Sequence, residues 1–170
     1  MNRKTLLLDS LTSFYKQNPA MFSRFSDIVS GKGKISLRLL DWFVTNYSKN
    51  NKIVYENKKL QNKSKRDFFV YTSYRSQLKA YSKKMFDPFC RRERIRLEIL
   101  NNEIETTIGQ LNFFKWAINN NVLDYVQENC IDIENDMYVS HRKGKRNMFS
   151  KKKIPVHCIK YIMPVTISFD

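Results

Sequence analysis

The strongest constraint on the fold is a run of alternating residues that leads directly into a helix start. Apolar side chains at Ile95, Leu97 and Ile99 alternate with charged ones, and the alternation resumes after Asn101-Asn102. A period of two predicts strands, and asparagine tolerates the positive φ that a two-residue turn requires. The segment therefore predicts a β-hairpin near 95–105.

A helix is predicted immediately after this hairpin. Thr107 and Gln110 have the spacing of a capping box, in which two side chains satisfy backbone N–H groups at a helix start. Leu111, Phe114 and Ile118 follow at a helical period, so they are expected to face the core.

Helices and strands elsewhere mix without a regular alternation. Two helices are predicted before Gly31 and a third begins at Ser36, whose hydroxyl suits an N-cap. Together with a final strand near 165–169, this pattern predicts an α+β fold in a single compact domain over 1–170. Two segments are expected to depart from it: 1–32 as an N-terminal helical extension, and 140–153 as a basic flexible loop or arm.

Composition excludes several classes of protein. With 42% apolar residues and 12 Phe, 9 Tyr and 2 Trp, the chain can bury a core, so wholesale disorder is excluded. No apolar run approaches the ~20 residues of a membrane-spanning helix, and no signal peptide is predicted. The three cysteines are far apart, which favours reduced thiols inside a cell.

Positive charge dominates the chain and is unevenly distributed. The formal net charge is +15, with 15 basic and 4 acidic residues in 49–96 against 1 and 8 in 97–140. In the basic stretch, Arg75, Lys79 and Lys83 recur at intervals of four, which predicts one helix face. Like charges at that spacing repel, whereas a polyanion would bind them with release of counterions. A solvated face that serves solubility alone is the alternative.

The predicted nucleic-acid contacts extend beyond that face in two directions. Nearby in sequence, they include Lys84, Arg91, Arg92 and Arg94. A second set belongs to the basic run near the C-terminus, which is typical of a nucleic-acid arm: Arg142, Lys143, Lys145, Arg146, Lys151, Lys152 and Lys153. That run could equally fold back on the acidic stretch 97–140.

Patterns typical of catalysis are weak. Gly31-Lys32-Gly33-Lys34 lacks the Walker A residues, and a calcium loop from Asp132 lacks its glycine and final glutamate. Glu56 and Lys58, with Asp41 upstream, are compatible with a metal-dependent nuclease. We predict no enzyme activity, no catalytic residues, no metal and no cofactor.

Three segments together resemble a known group of proteins. They are LRLLDWFVTNYSK at 37–49, QLKAYSKKMFDPFCRRERI at 77–95 and TTIGQLNFFKWAINNNVLDYV at 106–126, with a terminal ISFD. They resemble a family of short basic proteins of large nucleocytoplasmic DNA viruses, of the marseillevirus and mimivirus kind. The resemblance implies a viral protein in the cytoplasm, viral factory or nucleus of an infected cell, or packaged in the virion. It implies no particular activity and no catalytic residues.

The sequence therefore predicts a non-catalytic viral protein that binds nucleic acid, DNA rather than RNA, through phosphate contacts. A lysine-dominated surface favours charge-based binding over base readout. No membrane partner is predicted, and a symmetric homodimer would double the basic surface. The alternatives are a virion structural or protein–protein interaction protein that contacts other virion proteins, and the nuclease.

Overall fold

The computed structural model describes residues 3–57, 67–99 and 102–151, with side chains as far as Lys143. The chain divides into two units, Met1–Tyr138 and Val139–Asp170. The helices are α1 (Arg3–Gln17), α2 (Pro19–Val29), α3 (Leu37–Trp42), α4 (Ser48–Asn50), α5 (Val70–Met85), α6 (Ile108–Asn119), α7 (Val122–Glu128) and α8 (Cys130–Lys151). A π-helical turn, Phe43–Tyr47, joins α3 to α4.

In the described part of the chain, four short strands lie between these helices and confirm the α+β class. Strands β1 (Val54–Glu56) and β2 (Asp67–Phe69) form one antiparallel hairpin, and β3 (Ile95–Ile99) and β4 (Asn102–Thr106) form the other. The second is the predicted hairpin, although Asn102 pairs with Ile99 inside the ladder instead of standing in the turn. Strand β2 ends at Phe69, because α5 begins at Val70.

Helix α6 is the centre of the first unit. Ten of its twelve residues are buried, so it is covered on all sides and not on one face alone. Its start matches the sequence, since the Thr107 hydroxyl accepts a hydrogen bond from the Gln110 N–H over 3.1 Å. The Gln110 side chain does not complete a capping box. Its amide instead donates to the Pro88 carbonyl at 2.9 Å and accepts from the Thr106 hydroxyl at 2.8 Å.

The first two helices belong to this core. Tyr15 of α1 is fully buried and donates its hydroxyl to the Leu111 carbonyl over 2.8 Å. Phe25 of α2 meets the ring of Phe114 edge-on, with 5.0 Å between centroids. The prediction of helices was correct, but the idea of an N-terminal extension was wrong, because their apolar faces cover α6.

The flexible loop predicted within 140–153 is instead helical over 140–151, because α8 runs through to Lys151, and a role of this segment as a basic arm stays a prediction. The segment contains no proline and is rich in helix-forming lysine and arginine, which favour the helix against the cost of Gly144. The expected final strand at 165–169 lies outside the described residues, as does the end of the basic run, Lys152 and Lys153.

Helix α5 is broken near its end at Ser82. The backbone there has φ 59° and ψ 168°, a region that residues with a Cβ rarely occupy. Just before the break, Arg3 of α1 donates a hydrogen bond to the Ala80 carbonyl over 2.9 Å. The conformation is therefore held by tertiary contacts and not by local preference.

Replacing Ser82 with glycine is expected to raise the free energy of unfolding by about 1 kcal/mol, because glycine adopts this backbone conformation without strain. Urea denaturation measures the change. Ser76→Gly, in the regular part of α5, is the matched control and is expected to lower stability by about 0.5 kcal/mol. Equal destabilisation by both substitutions would contradict the strain at Ser82.

Candidate nucleic-acid interface

The predicted basic stripe along α5 is interrupted by the break at Ser82. Arg75 and Lys79 are exposed one turn apart in the regular part of the helix. Lys83 follows the break, so the expected continuous face of three residues at intervals of four was wrong. The consequence is that Lys83 and Lys84 line two different depressions in the surface.

The segment after the break is held firmly against α6. A Cβ at Gly109 would come within 3.2 Å of the Lys84 carbonyl oxygen, so only glycine permits this approach without a shift. The Asn112 amide donates to the Met85 carbonyl at 2.9 Å, one residue beyond. Asp87 N–H donates to the Gly109 carbonyl at 3.2 Å. These contacts fix the backbone that carries the basic side chains.

Asp87 is the organising side chain of this segment. Its carboxylate accepts from the Phe89 N–H at 3.2 Å and from Arg91 through two hydrogen bonds of 3.0 Å each. The Arg91 guanidinium also lies 4.5 Å from the centre of the Phe89 ring. Hydrogen bonding to Asp87 raises the pKa of Arg91 further above its usual value. Arg91 is therefore oriented, but its charge is largely compensated.

A cleft of about 320 Å³ lies beside this ion pair. Lys83, Arg91 and Arg92 line it on one side, and Asp41 and Thr45 line it from α3 and the π-helical turn. The Thr45 hydroxyl donates to the Asp41 carbonyl at 2.6 Å, which fixes the turn at that point. We call this depression the cleft.

Asp41 is the one acidic group of the cleft that no ion pair of the described residues compensates. Partial burial raises the pKa of this carboxyl, Asp87 adds to the rise, and Arg91 and Lys83 oppose it. The charged form is therefore disfavoured in the folded state. The contribution of Asp41 to the free energy of unfolding is therefore greatest at low pH, where the carboxyl is protonated, and it falls as the pH rises and the carboxyl ionises.

Asp41→Asn is expected to increase the free energy of unfolding at neutral pH, because it removes a half-buried charge. The gain should disappear at a pH of about 3, where the aspartate is protonated in either state. Thermal unfolding at both pH values measures it, with Asp9→Asn at an exposed position of α1 as control. A gain of the same size at both pH values would contradict the electrostatic cause.

A second depression of about 320 Å³, the side pocket, shares Arg92 with the cleft. Lys84 lines it, together with Thr107 and Ile108 at the start of α6. Lys4 and Glu93 also line it and form an ion pair with each other. Lys83, Lys84 and Arg92 are exposed, and none forms an ion pair with any residue in the described part of the chain. We call these three residues the basic cluster.

Two further arginines are paired with carboxylates, and one of them, Arg94, was a predicted contact. Arg94 donates to Glu105 at 2.7 Å, and Arg96 lies 3.9 Å from Glu103 across the β3–β4 hairpin. The alternation in the sequence places Arg96 on the outer face of β3 and Glu103 and Glu105 on that of β4, whereas Arg94 precedes β3 and its pairing depends on the folded hairpin. These arginines therefore contribute less net positive charge than their number suggests.

The predicted residues of the C-terminal run belong to the second unit. Arg142 and Lys143 are exposed on α8. Lys145, Arg146 and Lys151 lie on the same helix beyond the last described side chain. Whether they contact nucleic acid stays a prediction.

The residues of the nuclease alternative are only partly described. Asp41 lines the cleft, whereas Glu56 is exposed on β1 opposite Asp67, and Lys58 lies outside the described residues. In 3–57, 67–99 and 102–143, no three His, Cys, Asp or Glu side chains come together as a metal-binding group. The helices in those ranges include none that is long and apolar enough to cross a bilayer.

Comparison with known proteins gives a family and one viral relative. Residues 2–157 match a family described as "Family of unknown function (DUF7197)". The uncharacterized protein L507 of Acanthamoeba polyphaga mimivirus is 39% identical over 145 residues, 82% of this chain. The match covers 55% of that protein, so the chain spans about half the length of this curated relative. No solved structure matches. The expected resemblance to proteins of giant DNA viruses is confirmed.

Proposed function

The chain belongs to the DUF7197 family. Since that family has no described function, we propose from the chain's own residues that it binds nucleic acid, DNA in preference to RNA, through phosphate contacts. The observation that carries the proposal is the basic cluster. These three exposed cationic side chains form no ion pair among the described residues: Lys83 lines the cleft, Lys84 lines the side pocket, and Arg92 lines both.

Physical chemistry favours an anionic partner for such a cluster. Lysine and arginine close together in one region repel each other, so folding alone gains nothing from the arrangement. A phosphate backbone carries regularly spaced negative charges and releases condensed counterions when cations replace them. Arg75 and Lys79 on α5 are exposed and would extend the path of contacts.

The backbone beneath the cluster adds to this argument. The contacts of Gly109 and Asn112 with residues 84–86 hold the basic side chains on a rigid support. A site that is already ordered loses less conformational entropy on binding than a mobile one. Arg91, oriented by Asp87, has an N–H that Asp87 does not engage and that can reach a phosphate oxygen.

The mimivirus relative favours a viral setting, and the proposal places binding in the infected cell, whether in the cytoplasm, viral factory or nucleus, with packaging in the virion as an extension. Homodimerisation and contacts with other virion proteins stay predictions. No catalytic step is part of the proposal.

Titration of a fluorescently labelled DNA duplex of about 20 base pairs, followed by anisotropy at low salt, tests the function directly. Saturable binding that weakens steeply as salt is added supports it. Absence of binding at low salt would refute it. A parallel titration with an RNA duplex of the same sequence decides the preference.

A further inference from the structure

We propose that a groove beside the β1–β2 hairpin holds an unpaired base of a single-stranded nucleic acid, stacked on Phe69. This inference rests on the proposed function and adds a second site, which binds single-stranded nucleic acid. The groove has a volume of about 230 Å³ and is separate in its lining residues from the cleft and the side pocket. We call it the hairpin groove.

The two faces of this hairpin have different surroundings. On the inner face, Tyr55 pairs with Phe68, and Phe68 lies 6.3 Å from the buried ring of Trp116. On the outer face, Val54 pairs with Phe69, and these side chains are 40% and 54% exposed. Only one face of this hairpin packs against the core. The apolar pair on the other face is left exposed, as is typical of an interaction surface.

The rest of the groove identifies the occupant. Lys49 and Lys52 line it and are exposed, and no carboxylate of the described residues does so. The Lys49 ammonium lies 5.8 Å from the centre of the Tyr71 ring, which also lines the groove. An aromatic platform beside cationic side chains is the combination that binds single strands, since bases stack on the ring while phosphates contact the lysines.

The acidic residues of the hairpin restrict the direction of such a strand. Glu56 and Asp67 form a cross-strand pair two residues along the ladder from Val54 and Phe69, beyond the pair Tyr55 and Phe68, and both are exposed. Their charge would repel a phosphate at that end, so the backbone of the bound strand is confined to the end with Lys49 and Lys52. An apolar side chain of another protein would gain nothing from the two lysines, which is why we favour a nucleotide.

The test compares Phe69→Ala and Phe69→Trp with the unaltered chain, using a thymidine oligomer of about 15 nucleotides. Phe69→Ala is expected to weaken binding of this oligomer at least about fivefold, because one stacked base is lost. Phe69→Trp is expected to retain affinity, and the oligomer is expected to quench its fluorescence beyond any quenching of Trp42 and Trp116 in the unaltered chain. Equal affinity of Phe69→Ala and the unaltered chain, or fluorescence that the oligomer leaves unchanged, would overturn the inference.

Parallel titration with a duplex separates this inference from the proposed function. Duplex binding through the basic cluster should be unchanged in Phe69→Ala, so a loss confined to the oligomer supports the hairpin groove. If the unaltered chain binds neither ligand, the proposed function and this inference fail together. Sedimentation of the same proteins without nucleic acid provides a further check. Self-association that Phe69→Ala abolishes would assign the groove to a second copy and overturn the inference.

Discussion

Replacing Lys83, Lys84 and Arg92 together with glutamine is expected to lower affinity for a DNA duplex by about 10²- to 10³-fold at 0.1 M salt. Affinity varies with salt concentration to a power of about −0.9 for each phosphate contact. Losing three contacts changes this power by about 2.7, so affinity at 0.1 M salt falls by nearly three powers of ten relative to a 1 M reference. Glutamine keeps a long polar side chain in place. The loss would therefore report charge and not a collapsed surface.

The matched control is the triple variant Lys16→Gln, Lys32→Gln and Lys34→Gln. These lysines are exposed, and none lines the cleft or the side pocket. Lys16 lies 12 residues along α1 from Lys4, about 18 Å at the rise of an α-helix. Both variants lose three positive charges, so a general effect of net charge would weaken binding equally. Equal losses would contradict a localised site.

Phe114→Ala is expected to lower the free energy of unfolding by about 3–5 kcal/mol, the largest stability effect that we predict. Phe114 is fully buried on α6 and packs between the ring of Phe25 on α2 and that of Phe113, with centroid distances of 5.0 and 5.8 Å. Removing the ring would leave a cavity between α2 and α6, and the packed helices cannot easily move together to fill it. A loss of this size is a large share of the total stability of an ordinary domain.

Urea denaturation followed by circular dichroism measures this effect. Phe69→Ala serves as the control, since its ring is 54% exposed and its loss should change stability by no more than about 1 kcal/mol. If Phe114→Ala were as mild as Phe69→Ala, α6 could not be the centre of the core. The same control shows that weaker binding of an oligomer by Phe69→Ala does not result from unfolding.

Local signals in the sequence were sufficient for much of the fold. The alternation through Ile95 and Ile99 predicted a hairpin that the structure contains, and Ser36 and Thr107 cap α3 and α6 as expected. In each case the decisive interaction joins residues a few positions apart, so their spacing is visible in the chain. The burial of α1 and α2 against α6 was missed because it depends on contacts about 100 residues apart in sequence, such as Tyr15 with Leu111.

The break in α5 could not be predicted from sequence. Ser82 stands where glycine would be the expected residue, and the surrounding segment contains no proline before Pro88. Tertiary contacts lie on both sides of it, from Arg3 to the Ala80 carbonyl and from Gly109 and Asn112 to residues 84–86. A tertiary interaction therefore overrides a local preference, and the basic stripe of the regular helix becomes the basic cluster.

The candidate site could be predicted in residue type but not in arrangement. The sequence identified Lys83, Lys84 and Arg92 among many cations, and only the fold distinguishes them from Arg94, which is paired with Glu105. Asp87 was not expected in the site, and Asp41 was considered only for the nuclease alternative, because the two come from segments 46 residues apart that meet only in the folded chain. Phe69 gave no signal in a sequence with 12 phenylalanines.

The most direct test of the basic cluster is the slope of log affinity against log salt concentration for duplex DNA, measured for the unaltered chain and for the Lys83, Lys84 and Arg92 glutamine variant. If the three side chains contact phosphates, the slope of the variant will be shallower by about 2.7, which is three contacts at about 0.9 each. The control variant at Lys16, Lys32 and Lys34 will keep the original slope. Identical slopes for all three proteins would contradict phosphate binding at the basic cluster.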